Sequence, residues 1–195
     1  MKKKYLPFVV VAAILLIDQL TKFLVKLNMS LGEEIVLFDW FRIHFVENEG
    51  MAFGMSLGSE WGKFLLSLFR IVAISLLVWY ISKMVKKGVE TNLRIASLSL
   101  ILAGAAGNML DSAFYGLIFS DSYFRVAEFL PQQGYAPFLF GKVVDMLYFP
   151  LFKIGDFTFF DPVFNVADSA ITIGFVLFFL SQVKISKTSH KQANI

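Results

Sequence analysis

Four long apolar stretches dominate the pattern of this chain, at roughly 5–26, 63–83, 94–114 and 163–183. Each matches the length of about 20 mainly apolar residues that a helix needs to cross a bilayer. The first follows Met1-Lys2-Lys3-Lys4 and resembles a secretory leader. Asp18 and Lys22 interrupt it and no small-residue cleavage site follows, so a retained helix is expected. Between these runs the pattern changes. Phe41-Arg42-Ile43-His44-Phe45 alternates apolar and polar, the period of a half-buried strand. Lys153-Ile154-Gly155-Asp156-Phe157 predicts a hairpin with a Gly-Asp turn, and 122–130 a short amphipathic helix ended by Pro131. The expected fold class is a membrane all-α protein with four transmembrane helices and a small extracytoplasmic β platform. Without an internal repeat, low-complexity tract or linker, 1–195 is expected to form a single domain.

Composition supports lipid as the solvent. Hydrophobic residues make up 57% of the chain and charged ones 17%, below the quarter or so typical of soluble domains. The 23 phenylalanines and a mean hydropathy of +0.67 agree. The absence of cysteine removes disulfides, thiolate metal sites and cysteine nucleophiles. The placement of charge sets direction. Lys2, Lys3 and Lys4, then Lys83, Lys86, Lys87 and Arg94, then Lys184, Lys187 and Lys191 hold ten of the 18 basic residues and, among the 15 acids, only Glu90. The positive-inside rule then places both termini and the 83–94 loop in the cytoplasm, and 27–62 and 115–162 outside.

An acid within a span costs about 2.5–3.5 kcal/mol on insertion scales, so each one calls for a reason. At a rise of about 1.5 Å per residue, Asp18, Asp111 and Asp168 fall in the outer parts of their helices. Asp145 falls in the outer segment before the last helix, so four aspartates from separate pieces of chain share one depth. Gly104, Gly107, Asn108 and Asp111 form one helical stripe; Asn165, Asp168, Ser169 and Thr172 form another. Small and polar residues in such stripes also serve as packing glue between helices, and Asp18 with Lys22 has the spacing of a structural ion pair. Other chemistries find little support. His44 and His190 are the only histidines, there is no H-E-x-x-H zinc motif and no phosphate-binding glycine loop. Two carboxylates can hydrolyse a peptide without a metal, by sharing one proton and activating water. The competing class, a small proton- or ion-coupled transporter using the same acids, fits less well. Transport sites lie near the midplane between repeated halves.

Five blocks resemble the lipoprotein signal peptidase (signal peptidase II) family of membrane aspartic proteases. Asp18-Gln19-Leu20-Thr21-Lys22 resembles its D-Q-x-S/T-K motif, and Asn48-Glu49-Gly50-Met51-Ala52-Phe53-Gly54 its N-x-G-x-A-F-G block. Gly104 to Asp111 resembles G-A-x-G-N-x-x-D. Val143-Val144-Asp145-Met146 resembles V-V-D-F/M, and Phe164-Asn165-Val166-Ala167-Asp168-Ser169-Ala170 resembles F-N-I/V-A-D-S-A/C. The resemblance implies Asp145 and Asp168 as the catalytic pair. It implies that Asp18, Lys22, Asn48, Gly50, Gly104, Asn108, Asp111, Asn165 and Ala167 shape the site or bind substrate, with no metal or cofactor. It also implies a multi-pass protein of the bacterial cytoplasmic (inner) membrane, acting near the outer face. The expected substrates are prolipoproteins cut on the amino side of a diacylglyceryl-modified cysteine. Membrane lipid is the expected surrounding, globomycin-type inhibitors are expected to bind, and nucleic acid is not an expected partner. Two features depart from the family. Ser112 stands where arginine is usual, leaving Arg70, Arg125 or Lys142 as substitutes, and the connection from Asp111 to Asp145 is long.

Overall fold

A computed structural model describes residues 3–49, 60–88, 90–154, 157–159 and 162–193, with the backbone alone at 60–61, 152–154, 157–159 and 183–193. Helix α1 spans Leu6–Lys26, entered through Pro7 in its first turn, where a missing N–H costs nothing. A strand hairpin follows, β1 (Glu34–Phe38) and β2 (Phe41–Asn48). Helix α2 runs Glu60–Lys87 and α3 Asn92–Leu110, the latter capped by Thr91, whose side chain accepts the Arg94 N–H. The chain continues through a π-helical turn, Asp111–Tyr115, into the short helix α4, Gly116–Ile118. Strands β3 (Val143–Tyr148), β4 (Phe152–Ile154), β5 (Phe157–Phe159) and β6 (Val163–Phe164) precede α5, Val166–Ala193.

Among the described residues, Lys3–Lys26, Gly62–Lys87 and Asn92–Ile118 are long and apolar enough to cross a membrane, and the apolar stretch Val166–Gln182 of α5 is shorter. Their outward faces are apolar, with Phe8, Leu16, Leu24, Phe69 and Phe179 all exposed, as lipid-facing surfaces are. Helix α3 is central and packs against α1, α2 and α5. Its small residues make that possible: a Cβ added at Gly104 would sit 2.2 Å from the Ala167 carbonyl oxygen.

The four-stranded sheet has the order β1-β2-β3-β6 and every pairing is antiparallel. The expected strand at Phe41–Phe45 lies within β2. The expected hairpin is present as β4 paired with β5, while its Gly155-Asp156 turn lies outside the described residues. The sheet shares a core with the end of α1, made of Val25, Met29, Phe45, Tyr115, Phe119, Ala127, Val144 and Met146.

Two expectations are corrected. Residues 122–130 are not helical. Ser30 bridges Val126, Phe119 bridges Phe129 and the Ser120 N–H donates to the Glu128 carbonyl, so these backbone groups are committed to neighbours outside the segment. Phe124 and Leu130 also take left-handed φ values of 57° and 54°, which no helix accommodates. The last helix begins at Val166 rather than 163, because Val163 and Phe164 pair with Tyr148 and Leu147 as β6.

Candidate active site

Asp18, Lys22 and Asp111 form a buried triad between α1 and α3, each with no exposure. Lys22 Nζ lies 2.9 Å from Asp18 Oδ2 and 2.7 Å from Asp111 Oδ2, and donates to Asn108 Oδ1 at 2.9 Å. The i, i+4 spacing of Asp18 and Lys22 does produce an ion pair, but one extended to a second helix. Ala167 N–H donates to Asp18 Oδ1 at 2.9 Å, and Val144 N–H to Asp111 Oδ2 at 3.3 Å. The triad therefore ties the start of α5 and strand β3 to the bundle.

Asp145 and Asp168 stand on those two tethered elements. Asp168 lies in the first turn of α5, where the positive end of the helix dipole favours negative charge. Asn165 caps that helix: its Oδ1 accepts the Asp168 N–H at 2.8 Å. Its Nδ2 donates to Asp145 Oδ1 at 2.7 Å, to Asn108 Oδ1 at 3.0 Å and to the Val144 carbonyl at 3.3 Å. Asn108 Nδ2 donates to Asp168 Oδ1 at 2.8 Å, and Asn48 Nδ2 to Asp145 Oδ2 at 3.3 Å. Asp145 is 2% exposed, whereas Asp168 remains partly open. Burial, and after it the negative charge of Asp168, pushes the Asp145 carboxyl up to about 7, against the hydrogen bonds from Asn48 and Asn165.

The structure thus brings together Asp18, Lys22, Asn48, Asn108, Asp111, Asp145, Asn165, Ala167 and Asp168. Gly104 lies one to two turns below Asn108 and Asp111 on α3, where it admits Ala167; Gly50 lies outside the described residues. Gln19 belongs to the same cluster and was not singled out from the sequence. It donates to Asp111 Oδ1 at 2.9 Å and to Asp18 Oδ2 at 3.1 Å, and accepts from Tyr115. Its fixed place in the D-Q-x-S/T-K block was the available signal.

The family described as signal peptidase (SPase) II matches residues 10–184. The chain belongs to the signal peptidase II family. Within signal peptidase II, the lipoprotein signal peptidase of Porphyromonas gingivalis (strain ATCC 33277) is 46% identical over 179 residues, covering 86% of this chain and 78% of that protein. The lipoprotein signal peptidase of Amoebophilus asiaticus (strain 5a2) is 35% identical over 196 residues, covering 93% and 80%. A bacterial membrane enzyme solved by the in meso method at 2.3 Å resolution shares the fold, with a TM-score of 0.67 at 22% identity over 93% of this chain and 90% of that one. Membership of signal peptidase II makes this chain a multi-pass membrane protein and an aspartic endopeptidase.

Proposed function

We propose that Asp145 and Asp168 are the catalytic pair and that they share one proton. The reading is carried by one observation. The two carboxylates are held on separate elements by a single side chain, Asn165, which caps one and donates to the other. Asp168, at a helix N-terminus and open to water, is the ionised member. Asp145, buried and raised by its neighbour's charge, carries the proton. Asp168 takes a proton from water, and the water oxygen attacks the scissile carbonyl carbon. Asp145 donates its proton toward the carbonyl oxygen as charge develops there. Collapse of the tetrahedral adduct breaks the C–N bond: the proton held by Asp168 passes to the departing nitrogen, and one hydroxyl proton of the adduct returns to Asp145 as the carbonyl re-forms, which restores the shared proton. The products are a signal-peptide carboxylate and a free amine on the cysteine.

The substrate in this reading is a lipoprotein precursor, as the names of the relatives suggest, and the resemblance of the five blocks implies that its cysteine carries diacylglycerol. Both termini lie in the cytoplasm, α5 is the fourth span and the site faces outward. The charge distribution supports that orientation, and globomycin-type inhibitors should occupy the same place. Conversion of a lipidated prolipoprotein by the purified protein tests the pair. Asp145→Asn and Asp168→Asn should each abolish cleavage with the fold intact, and the double variant should be little worse, because the two act as a unit. Substantial turnover by either single variant would remove the shared-proton mechanism and bring Asp111 forward.

A further inference from the structure

Lys26, the last residue of α1, is fully buried yet takes no part in the chemistry above. Its ammonium lies 5.8 Å from the Phe45 ring centre, 5.5 Å from Phe119 and 5.0 Å from Tyr135. It pairs with Glu47 Oε1 and donates to Ser122 Oγ at 2.8 Å. Lys142 Nζ stands 3.5 Å from the other oxygen, Glu47 Oε2. One carboxylate on β2 thus meets the end of α1, the entry of the long 119–142 connection and its exit. Tyr135, in the second half of that connection, accepts the Lys142 N–H at 2.7 Å.

Apolar residues of similar volume commonly replace a buried ion pair without loss of stability. What such a pair can supply is specification of one arrangement over others. Here the arrangement is the register of β2 on β3. Glu47 pairs with Val144, and Asn48 with Val143, next to an irregularity between Ile43 and Val46. A one-residue slip would turn Asn48 to the opposite face. Asn48 is the last residue of its strand and the one that donates to Asp145.

We propose that Lys26 and Glu47, clasped by the 119–142 connection, are positioning residues that hold Asn48 against Asp145. The long connection is then a brace for the catalytic strand. The inference rests on the role given to Asp145 above.

The test compares full-length purified enzyme with Lys26→Met, Asn48→Ala and the two combined, assayed on a lipidated prolipoprotein and normalised to folded protein. Lys26→Met keeps the length of the side chain among its three rings. It should lower kcat roughly ten- to hundredfold with a much smaller change in KM. The combined variant should be no slower than Asn48→Ala alone, since both changes act through the same hydrogen bond. The pH profile supplies a second readout. Asp145 faces Asp168 on α5, Lys22 on α1 and the amides of Asn48 and Asn165, and its charge also reaches Arg70 on α2. Losing the Asn48 donor disfavours the carboxylate, so the limb assigned to Asp145 should move to higher pH in Lys26→Met and Asn48→Ala alike. Lys26→Arg should recover part of kcat. If Lys26→Met does not give folded protein, Glu47→Gln, of nearly the same size, is read in the same way. An unchanged kcat with an unmoved pH limb overturns the proposal, and so does a Lys26 effect that adds in full to that of Asn48→Ala. Asp145→Asn assayed alongside separates the two readings: turnover there removes the pair of acids, whereas the coupling of Lys26 with Asn48 bears on the brace alone.

Discussion

Arg70 on α2 donates from Nη1 to the hydroxyl of Ser112, in the π-helical turn that follows α3, at 3.1 Å. Ser112 is the position where the family usually has arginine, so a guanidinium from a neighbouring helix arrives at the site of the missing one. The charges of Asp168, Asp111 and Asp145 all act on it. Arg125 is engaged with Asp121, and Lys142 stands beside Glu47. Arg70→Ala should lower cleavage by about tenfold or more, the scale of one lost charge-assisted contact. Ser112→Arg alone should not improve it, because Ser112 is buried and already faces a cation. Cleavage rates of the two purified variants decide the matter, and a silent Arg70→Ala would return attention to Arg125 and Lys142.

The buried triad should be structural. Asp18→Asn leaves Lys22 paired with Asp111 and should cost about 3 kcal/mol, the low end for a broken buried pair. Some cleavage should remain. Lys22→Met strands two fully buried carboxylates and should be far more damaging. Thermal unfolding in detergent, read beside residual activity, distinguishes these outcomes. Complete loss of turnover by well-folded Asp18→Asn would assign Asp18 to the chemistry instead.

The raised Asp145 carboxyl has two pH consequences. The native state keeps a proton up to about 7, whereas an unfolded aspartate releases it near 3.9. Between those values the native state binds more protons, so this group's contribution makes stability fall as pH rises through the window. Asp145→Asn should flatten that slope in equilibrium unfolding. Activity that needs the proton should decline as pH rises through about 7, which the kcat/KM profile of the free enzyme reports.

Gly104→Ala should disturb the site from below. The new Cβ would press on the Ala167 carbonyl oxygen at 2.2 Å and on Ile171 Cγ1 at 2.6 Å. Backbone on one side leaves little to yield, so α3 and α5 must separate, at a cost of about 1–3 kcal/mol. Asn108 then withdraws from Asp168, and both the thermal midpoint and the cleavage rate should drop.

Orientation can be read with a reporter active only outside the cytoplasm. Fused after Lys191 it should be silent, and inserted within 122–130 it should be active. Activity after Lys191 would deny α5 its place as a fourth span.

The spans were legible because apolar runs of that length have few other uses in a chain so poor in charge. The aspartates stood out for the related reason that acids in such runs are costly. The sheet was only partly legible. Strand β2 alternates along part of its length, but β3 is buried on both faces through Val143–Met146 and shows no period of two. The 122–130 segment has Val126, Phe129 and Leu130 at helical spacing, and bridges to Ser30 and Phe119 override that local preference. Lys26 lies on the stripe of Asp18 and Lys22, four residues further on, and reads as an ordinary basic residue at a helix end. Only its partners, Glu47 and Ser122, 21 and 96 residues away, give it a role. Gln19 is visible in its block, but its partner is not, since Asp111 is 92 residues from it.

Asn108 and Asn165 cannot turn over in place. Each presents its NH2 end to an acid, and each has its oxygen claimed from elsewhere: that of Asn108 by Lys22 and Asn165, that of Asn165 by the Asp168 N–H. The two amides are therefore a pair of locked dipoles with their positive ends aimed at Asp168 and Asp145. The ammonium of Lys22 polarises the Asn108 amide and sharpens it as a donor, so a cation that touches neither acid still acts on the hydrogen bond that one of them receives. The ion triad in the helix bundle and the reacting carboxylates are in this sense one circuit, joined by a single asparagine.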